Sequence, residues 1–366
     1  MNKSTERTKI CFIIASLVQS GPVNVLFNII KYSDYSCFDI YLVTLFKESK
    51  HTRLQDFEKL PISLITHNYS KKNIYGLLKA VPKTIKTIKP DVIHSFCIGS
   101  MLILSFLRAK TLKMHTINVD PKEQYPKKYG FIYGNLLSYL SLKLYSRMDC
   151  LVCCAEHLKH SLPAVLYSKI TVIVNGIDEN VYSIPTFEKK NELKKRFNVE
   201  NKVVFLSNNR LSKEKNIKVV FDNFPESKYI HLFIVGEGSE FRSLKVKENI
   251  THISYEKNIA SLLQLADYYI SASKVEGMPL AVLEAISCGL VPILSDIAPH
   301  REITQTLSSF YIFNLGKKET LQEIIQSVSK LEIEHNMKEN RVAIENVFSS
   351  LRMSKEYLAL YKRLLS

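Results

Sequence analysis

The segment Ser271–Asp296, SASKVEGMPLAVLEAISCGLVPILSD, carries the sharpest chemical signal in the sequence. The apolar run Tyr268–Ser271 before it reads as a strand, Pro279 suits the first turn of a helix, and Gly289 suits its end. The free amides and positive dipole end of such a helix favour a phosphate or sugar oxygen, and Gly277 lets the backbone come close. Glu276 ends the loop, and Glu284 interrupts an otherwise apolar helix. A buried carboxylate is costly without donors, so Glu284 either contacts a ligand or shares a narrow wet stripe with Ser287. A second cluster, NNRLSKEKN, follows the run Val203–Ser207, and its Arg210 and Lys215 leave one strand end within a few residues. A forked guanidinium beside a point-charge ammonium suits a diphosphate; an exposed basic loop is the plainer reading. A Gly-x-Gly turn in IVGEGSE, Ile234–Glu240, is a weak sign alone.

These residues need a frame that presents strand ends. Continuous Val/Ile/Phe-rich runs recur at Ile10–Ala15, Ile40–Thr44, Val92–Phe96, Cys150–Cys154, Val203–Ser207, Leu232–Val235, Tyr268–Ser271 and Val291–Leu294, separated by stretches of helical spacing. Runs without alternation are strands buried on both faces, and interleaved helices imply parallel sheets covered on both sides. The class is therefore α/β. Between residues 175 and 201 the periodicity lapses, Pro185 intervenes and charge rises. Two doubly wound, Rossmann-like domains are expected, at 1–180 and 186–345, with residues 346–366 forming a terminal amphipathic helix. Ligands of open parallel sheets bind outside the carboxyl ends of the strands, so two facing domains would enclose a cleft.

Composition excludes a disordered or collagen-like chain: 46% of the 366 residues are hydrophobic, with only 11 Gly and 12 Pro. Net charge is +15, of which +12 lies in residues 1–178 and +3 in the remainder. Two basic and apolar segments, 70–91 and 125–147, suit the interface of an anionic membrane; a solvated helix face beside an ordinary core helix is the alternative. Nucleic acid would account for the charge, but not for paired glutamates, which repel phosphates. No nucleic-acid partner is expected. Seven cysteines, an odd number lying mostly in apolar runs, read as reduced core thiols without a zinc site. The start imitates a signal peptide, but Gly21-Pro22 and the amphipathic run behind it favour a first strand, turn and helix. Elsewhere the apolar runs are too short to cross a bilayer.

Five ordered motifs, VIVNGID, NNRLSKEKN, IVGEGSE, EGMPLAVLEAISCGLVPILSD and DIAPHREI, are similar to those of glycosyltransferase family 4, retaining enzymes of the GT-B fold. The resemblance spans most of the chain and is strongest from 172 to 303. It implies two Rossmann-like domains, the first for the acceptor and the second for a nucleotide sugar, with the last helix packing back on the first domain. By position it makes Arg210 and Lys215 the pair gripping the donor diphosphate. Glu284 becomes the ribose-binding glutamate, and Glu276 the glutamate beside the donor sugar. The stretch Gly277, Met278, Pro279, Leu280 would contact sugar and phosphate, and Gly236 and Glu237 would form a turn near the nucleotide. Gly21 fits the loop after the first strand, and His94 fits a family histidine or a satisfied core residue.

One departure stands out. Where relatives present a histidine near the reactive face of the donor sugar, this chain offers Asn118, which cannot take a proton, with His115 three positions earlier. The expected activity is hexosyl transfer from a UDP- or GDP-sugar to a lipid-linked glycan in capsule, O-antigen or exopolysaccharide assembly, at the cytoplasmic face of the membrane. Neither cofactor nor metal is implied, for no Asp-x-Asp pair is present. A nucleotide-sugar 2-epimerase and a catalytically silent partner subunit are the competing readings.

Overall fold

The computed structural model describes residues 7–240, 247–317, 319–328 and 333–366. The chain forms two compact units, one running to Gly176 and rejoined by Ser350–Ser366, the other Ile177–Ser349.

In the first unit the order is β1 (Thr8–Ile14), α1 (Gly21–Lys31), β2 (Phe38–Phe46), α2 (Leu54–Glu58), β3 (Ser63–Tyr69), α3 (Ile74–Ile88) and β4 (Val92–Phe96). It continues with α4 (Ile98–Phe106), β5 (Leu112–Ile117), α5 (Pro121–Tyr129), α6 (Phe131–Tyr145), β6 (Cys150–Cys153), α7 (Glu156–Ser161) and β7 (Ile170–Val172). All seven strands are parallel, in the order β3-β2-β1-β4-β5-β6-β7. Right-handed crossovers place α1 on one face, and α3, α4 and α6 on the other. Strands β4 and β6 are buried at every position, as their unbroken apolar runs require.

The second unit holds α8 (Phe187–Arg196), β8 (Val203–Asn208), α9 (Ile217–Asn223), β9 (Ile230–Val235), β10 (Ile250–Ile253), α10 (Ile259–Leu265) and β11 (Tyr268–Ser271). Then come α11 (Leu280–Ser287), β12 (Val291–Ser295), α12 (Ala298–Thr304), β13 (Tyr311–Phe313), α13 (Glu319–Ser327) and α14 (Ile333–Val347). Its parallel strand order is β10-β9-β8-β11-β12-β13. The chain winds one way from β8 and the other way from β11, so loops that leave these two neighbours part at their carboxyl ends. A core of Phe205, Leu232, Ile270, Ile293 and Phe313 packs against α9 and α13. Buried Asp267, ahead of β11, accepts from Val204 N (2.8 Å) and pairs with Lys190 (2.8 Å) and Lys194 (2.7 Å) of α8. Burial alone would raise its carboxyl, but the two lysines hold it below the ordinary value.

The last helix, α15 (Ser350–Leu365), belongs to the first unit. Tyr357 and Tyr361 are fully buried there, and Ser354 Oγ donates to Ile29 O of α1 (2.9 Å). His94 of β4 lies between Tyr361 Oη (2.7 Å from Nδ1) and Thr116 Oγ1 (2.8 Å from Nε2), and Tyr357 Oη reaches Thr116 (3.2 Å). Burial pushes the His94 imidazole well down, so it stays neutral and uses one nitrogen as donor and the other as acceptor. Tyr361→Phe should therefore leave a buried ring nitrogen unpaired and lower stability by about 1–3 kcal/mol. Urea unfolding of the full chain checks this, and an unchanged midpoint would show that the helix is held by packing alone.

Candidate active site

The loops after β8, β9, β11 and β12 are tied to one another by hydrogen bonds, most of them between main-chain groups. Leu211 N donates to Glu237 O (2.9 Å), Glu240 N to Leu211 O (3.1 Å), and Lys274 N to Glu214 O (2.8 Å). Ser295 Oγ donates to Ser273 O (2.6 Å). Gly236 takes φ +139°, and a Cβ there would run into the carbonyl oxygen of Asn209. Only glycine lets the two turns lie flush. Glu237 is exposed at the tip of its turn.

Across the parting of β8 and β11, Lys215 Nζ donates to Glu276 Oε1, and Ser273 Oγ donates to the same oxygen (2.7 Å). The side chains retain 23% and 11% exposure, enough to leave the pair accessible from one side. Burial would raise the Glu276 carboxyl, but the Lys215 charge and the bonds from Lys215 and Ser273 outweigh it and lower it. Arg210 is exposed on the same loop as Lys215, and its side chain meets no carboxylate among the described residues.

Helix α11 starts at Leu280 with Pro279 as its cap, one position later than the sequence suggests, and no side chain closes its end. Gly277, Met278 and Pro279 are buried, with Leu280 half-buried behind them. Glu284 is 7% exposed. Tyr269 Oη donates to Asn208 O (3.1 Å), and its phenol is pushed up by burial first and then by the charges of Glu276 and Glu284. Both carboxylates thus act on one phenol. The structure brings together Lys215, Glu276 and Ser273 directly; Glu284 lies on α11, which starts four residues after Glu276, and Gly236 lies on the turn bonded to the Arg210–Lys215 loop.

Sequence reasoning missed His300 and Ser273. His300, fully buried on α12, donates through Nδ1 to Ser295 O (2.8 Å), and its Nε2 lies 3.4 Å from Ser271 Oγ. Burial above all holds it down at about 4, against partial relief from Ser295 and Glu276. Its motif, DIAPHREI, is visible in the sequence, but nothing in it indicates that the ring braces the Ser271–Ser273 loop.

In the first unit Gly21 opens α1 and is exposed, next to Pro22. Asn118 lies just past β5, half-buried, with Nδ2 donating to Thr116 O (3.3 Å). His115 is instead packed into the core. It is 3% exposed, stacked on Tyr145 and 2.9 Å from Ser95 Oγ, with burial pushing it down to about 3. His115 and His94 are therefore neutral core residues, and neither is presented to a ligand beside Asn118. Among the described residues no three His, Cys, Asp or Glu side chains cluster to hold a metal ion. No helix among them is long and apolar enough to cross a membrane.

The family described as Glycosyltransferase Family 4 matches residues 20–181, and Glycosyl transferases group 1 matches residues 188–346. The O-antigen biosynthesis glycosyltransferase WclY of Escherichia coli is 22% identical over 97% of this chain and 98% of its own length. A UDP-Gal:alpha-D-GlcNAc-diphosphoundecaprenol alpha-1,3-galactosyltransferase of Escherichia coli is 25% identical over 82% of this chain and 80% of its own. Among solved structures, Anabaena Alr3699/HepE in complex with UDP and glucose superimposes with a TM-score of 0.80 at 15% identity, covering 98% of this chain and 100% of that one.

Lys215→Met should leave Glu276 buried without its counter-charge and cost on the order of 3 kcal/mol. The sign of the pH dependence should also reverse. In the wild type the lowered carboxyl contributes stability above its ordinary value of 4.5, lost as pH falls through the folded value. In the variant burial dominates, and protonating Glu276 stabilises. Urea unfolding from pH 7 down to pH 4 measures the difference between the two proteins; parallel profiles would mean that the pair is electrostatically idle.

Proposed function

The chain belongs to glycosyltransferase family 4, and on that premise we propose that it moves a hexose, with retention, from a nucleotide-diphosphate sugar to a lipid-linked glycan in cell-surface polysaccharide synthesis. The observation that carries the reading is the Lys215–Glu276 pair at the parting of β8 and β11, with the uncapped start of α11 beside it. Open parallel sheets bind ligands at such a point. A cation paired with a carboxylate and open on one side can turn to an arriving phosphate, which replaces the counter-charge, and the freed carboxylate can accept from a sugar hydroxyl.

Breaking the bond from anomeric carbon to phosphate builds negative charge on the departing nucleotide and positive charge on the sugar. The amides at the start of α11 are donors fixed before the reaction, and with Lys215 turned to the phosphate and Arg210 beside it they stabilise the leaving diphosphate. Glu284 would hold the ribose, and the turn at Gly236 and Glu237 would lie near the nucleotide. The departing phosphate is itself a base near the acceptor hydroxyl, so retention needs no side-chain nucleophile, and Asn118 can serve by hydrogen bonding where a histidine is absent. UDP or GDP is the nucleotide proposed; WclY and the galactosyltransferase support an O-antigen-like, undecaprenol-linked acceptor bound by the first unit. An acceptor of that kind supports the reading that the enzyme works at the cytoplasmic face of the membrane. The relatives described above are transferases, which favours transfer over 2-epimerisation and over a silent subunit.

Lys215→Ala and Glu276→Ala should each cut transfer by about 100-fold or more, the scale of losing one electrostatic donor. Thermal shift with UDP, GDP, ADP and their sugars identifies the nucleotide, since a ligand stabilises according to its concentration over Kd. Wild-type turnover by either purified variant would overturn these roles.

A further inference from the structure

Helix α6 is inverted relative to an ordinary surface helix. It buries Gly134, Ser138, Ser141 and Tyr145 and turns its large apolar side chains outward. Phe131, Ile132 and Tyr133 are 80%, 78% and 76% exposed, and Leu136, Tyr139 and Leu140 continue the exposed face. The inner face is small because α5 packs tightly there: a Cβ on Gly134 would run into the backbone of Tyr125 and Pro126. The neighbouring helices on the same side of the sheet extend the apolar surface, with Ile74, Tyr75 and Leu78 on α3 and Leu102 and Phe106 on α4. Isolated exposed leucines need no explanation, but a contiguous layer does.

Charge identifies the occupant. Helices α3, α4 and α6 contain no Asp or Glu, whereas cations border them throughout. Four exposed aromatics each carry a cation over the ring: Lys79 on Tyr75 (4.4 Å), Arg147 on Phe106 (5.6 Å), Lys128 on Tyr129 (5.1 Å) and Lys143 on Tyr139 (4.8 Å). Aromatic rings with long cationic side chains suit the level of lipid head groups, where the ring sits at the boundary and the ammonium reaches the phosphate. A second copy of the chain would set these cations against one another with little but Glu123 of α5 to answer them. Both α3 and α6 run antiparallel to the strands, so their exposed first turns lie at the carboxyl edge of the sheet, the edge that carries Asn118.

We propose that the α3–α4–α6 face, led by the first turns of α6, seats the enzyme in the head-group layer of an anionic bilayer. This rests on the lipid-linked acceptor proposed above, and it concerns how the chain reaches that acceptor rather than how sugar is transferred. The chain has no tryptophan, so Phe131→Trp gives a single reporter. Phosphatidylglycerol vesicles should shift its emission to the blue and make it quenchable by brominated lipid, while phosphatidylcholine vesicles bind at least about tenfold more weakly. Ile132→Ser/Leu136→Ser should weaken vesicle binding by about tenfold or more, with the nucleotide-induced thermal shift unchanged. Emission that ignores phosphatidylglycerol vesicles would overturn the proposal. So would dimerisation in light scattering that the double serine variant abolishes, because the face would then belong to a second copy. Loss of the thermal shift with vesicle binding intact would instead count against the enzymatic reading alone.

Discussion

The ion pair between Lys215 and Glu276 is the constraint on which the second unit is organised. Neither group is tolerated in a half-dry position alone, since desolvating one charge without its partner is unfavourable. Together, with Ser273 donating to the same carboxylate oxygen, they keep a cation and an anion poised where strands β8 and β11 part. That position is set by topology: the chain leaves β8 toward β9 and leaves β11 toward β12, so neither of these two loops crosses the gap at the carboxyl edge. The pair occupies the place along the sheet edge where two adjacent loops diverge.

Holding it there takes a rigid rim. Main-chain bonds from Leu211 to Glu237 and from Lys274 to Glu214 fasten three loops to each other, and Ser295 fastens a fourth. His300 lies behind this rim, neutral because it is buried. Fixed donors are useful to a developing phosphate charge only if they do not have to be reoriented during the reaction, and this rim supplies that fixity. The first unit solves a different problem. Its interior histidines, His94 and His115, are engaged in core hydrogen bonds, and its unusual feature is outside, where α6 exposes the side chains that an ordinary surface helix would bury.

The strand runs legible in the sequence belong to strands buried on both faces; interior β5 escapes it because Lys113 and His115 break its apolar run, and so do the four edge strands β3, β7, β10 and β13. Their residues are largely half-exposed, as in the alternating burial of Ser63–Tyr69, so no continuous apolar run marks them. Helix α8 is hidden in the stretch that reads as a boundary because only Leu193 and Lys194 are buried on it. Arg210, Lys215, Glu276 and Glu284 are visible as chemistry after strands. That Lys215 meets Glu276, 61 residues away, is not, because strand adjacency depends on which strand the chain chooses as neighbour. The inversion of α6 is invisible for a related reason: its inward stripe of Gly and Ser is read only once α5 is seen to cover it.

A crystal structure of the full chain with the nucleotide sugar that stabilises it tests the central claim most directly. The account predicts the diphosphate at the start of α11 with an oxygen about 3 Å from Lys215 Nζ, and Glu276 turned from the lysine toward the sugar. A diphosphate bound away from the parting of β8 and β11, with the Lys215–Glu276 pair undisturbed, would contradict it.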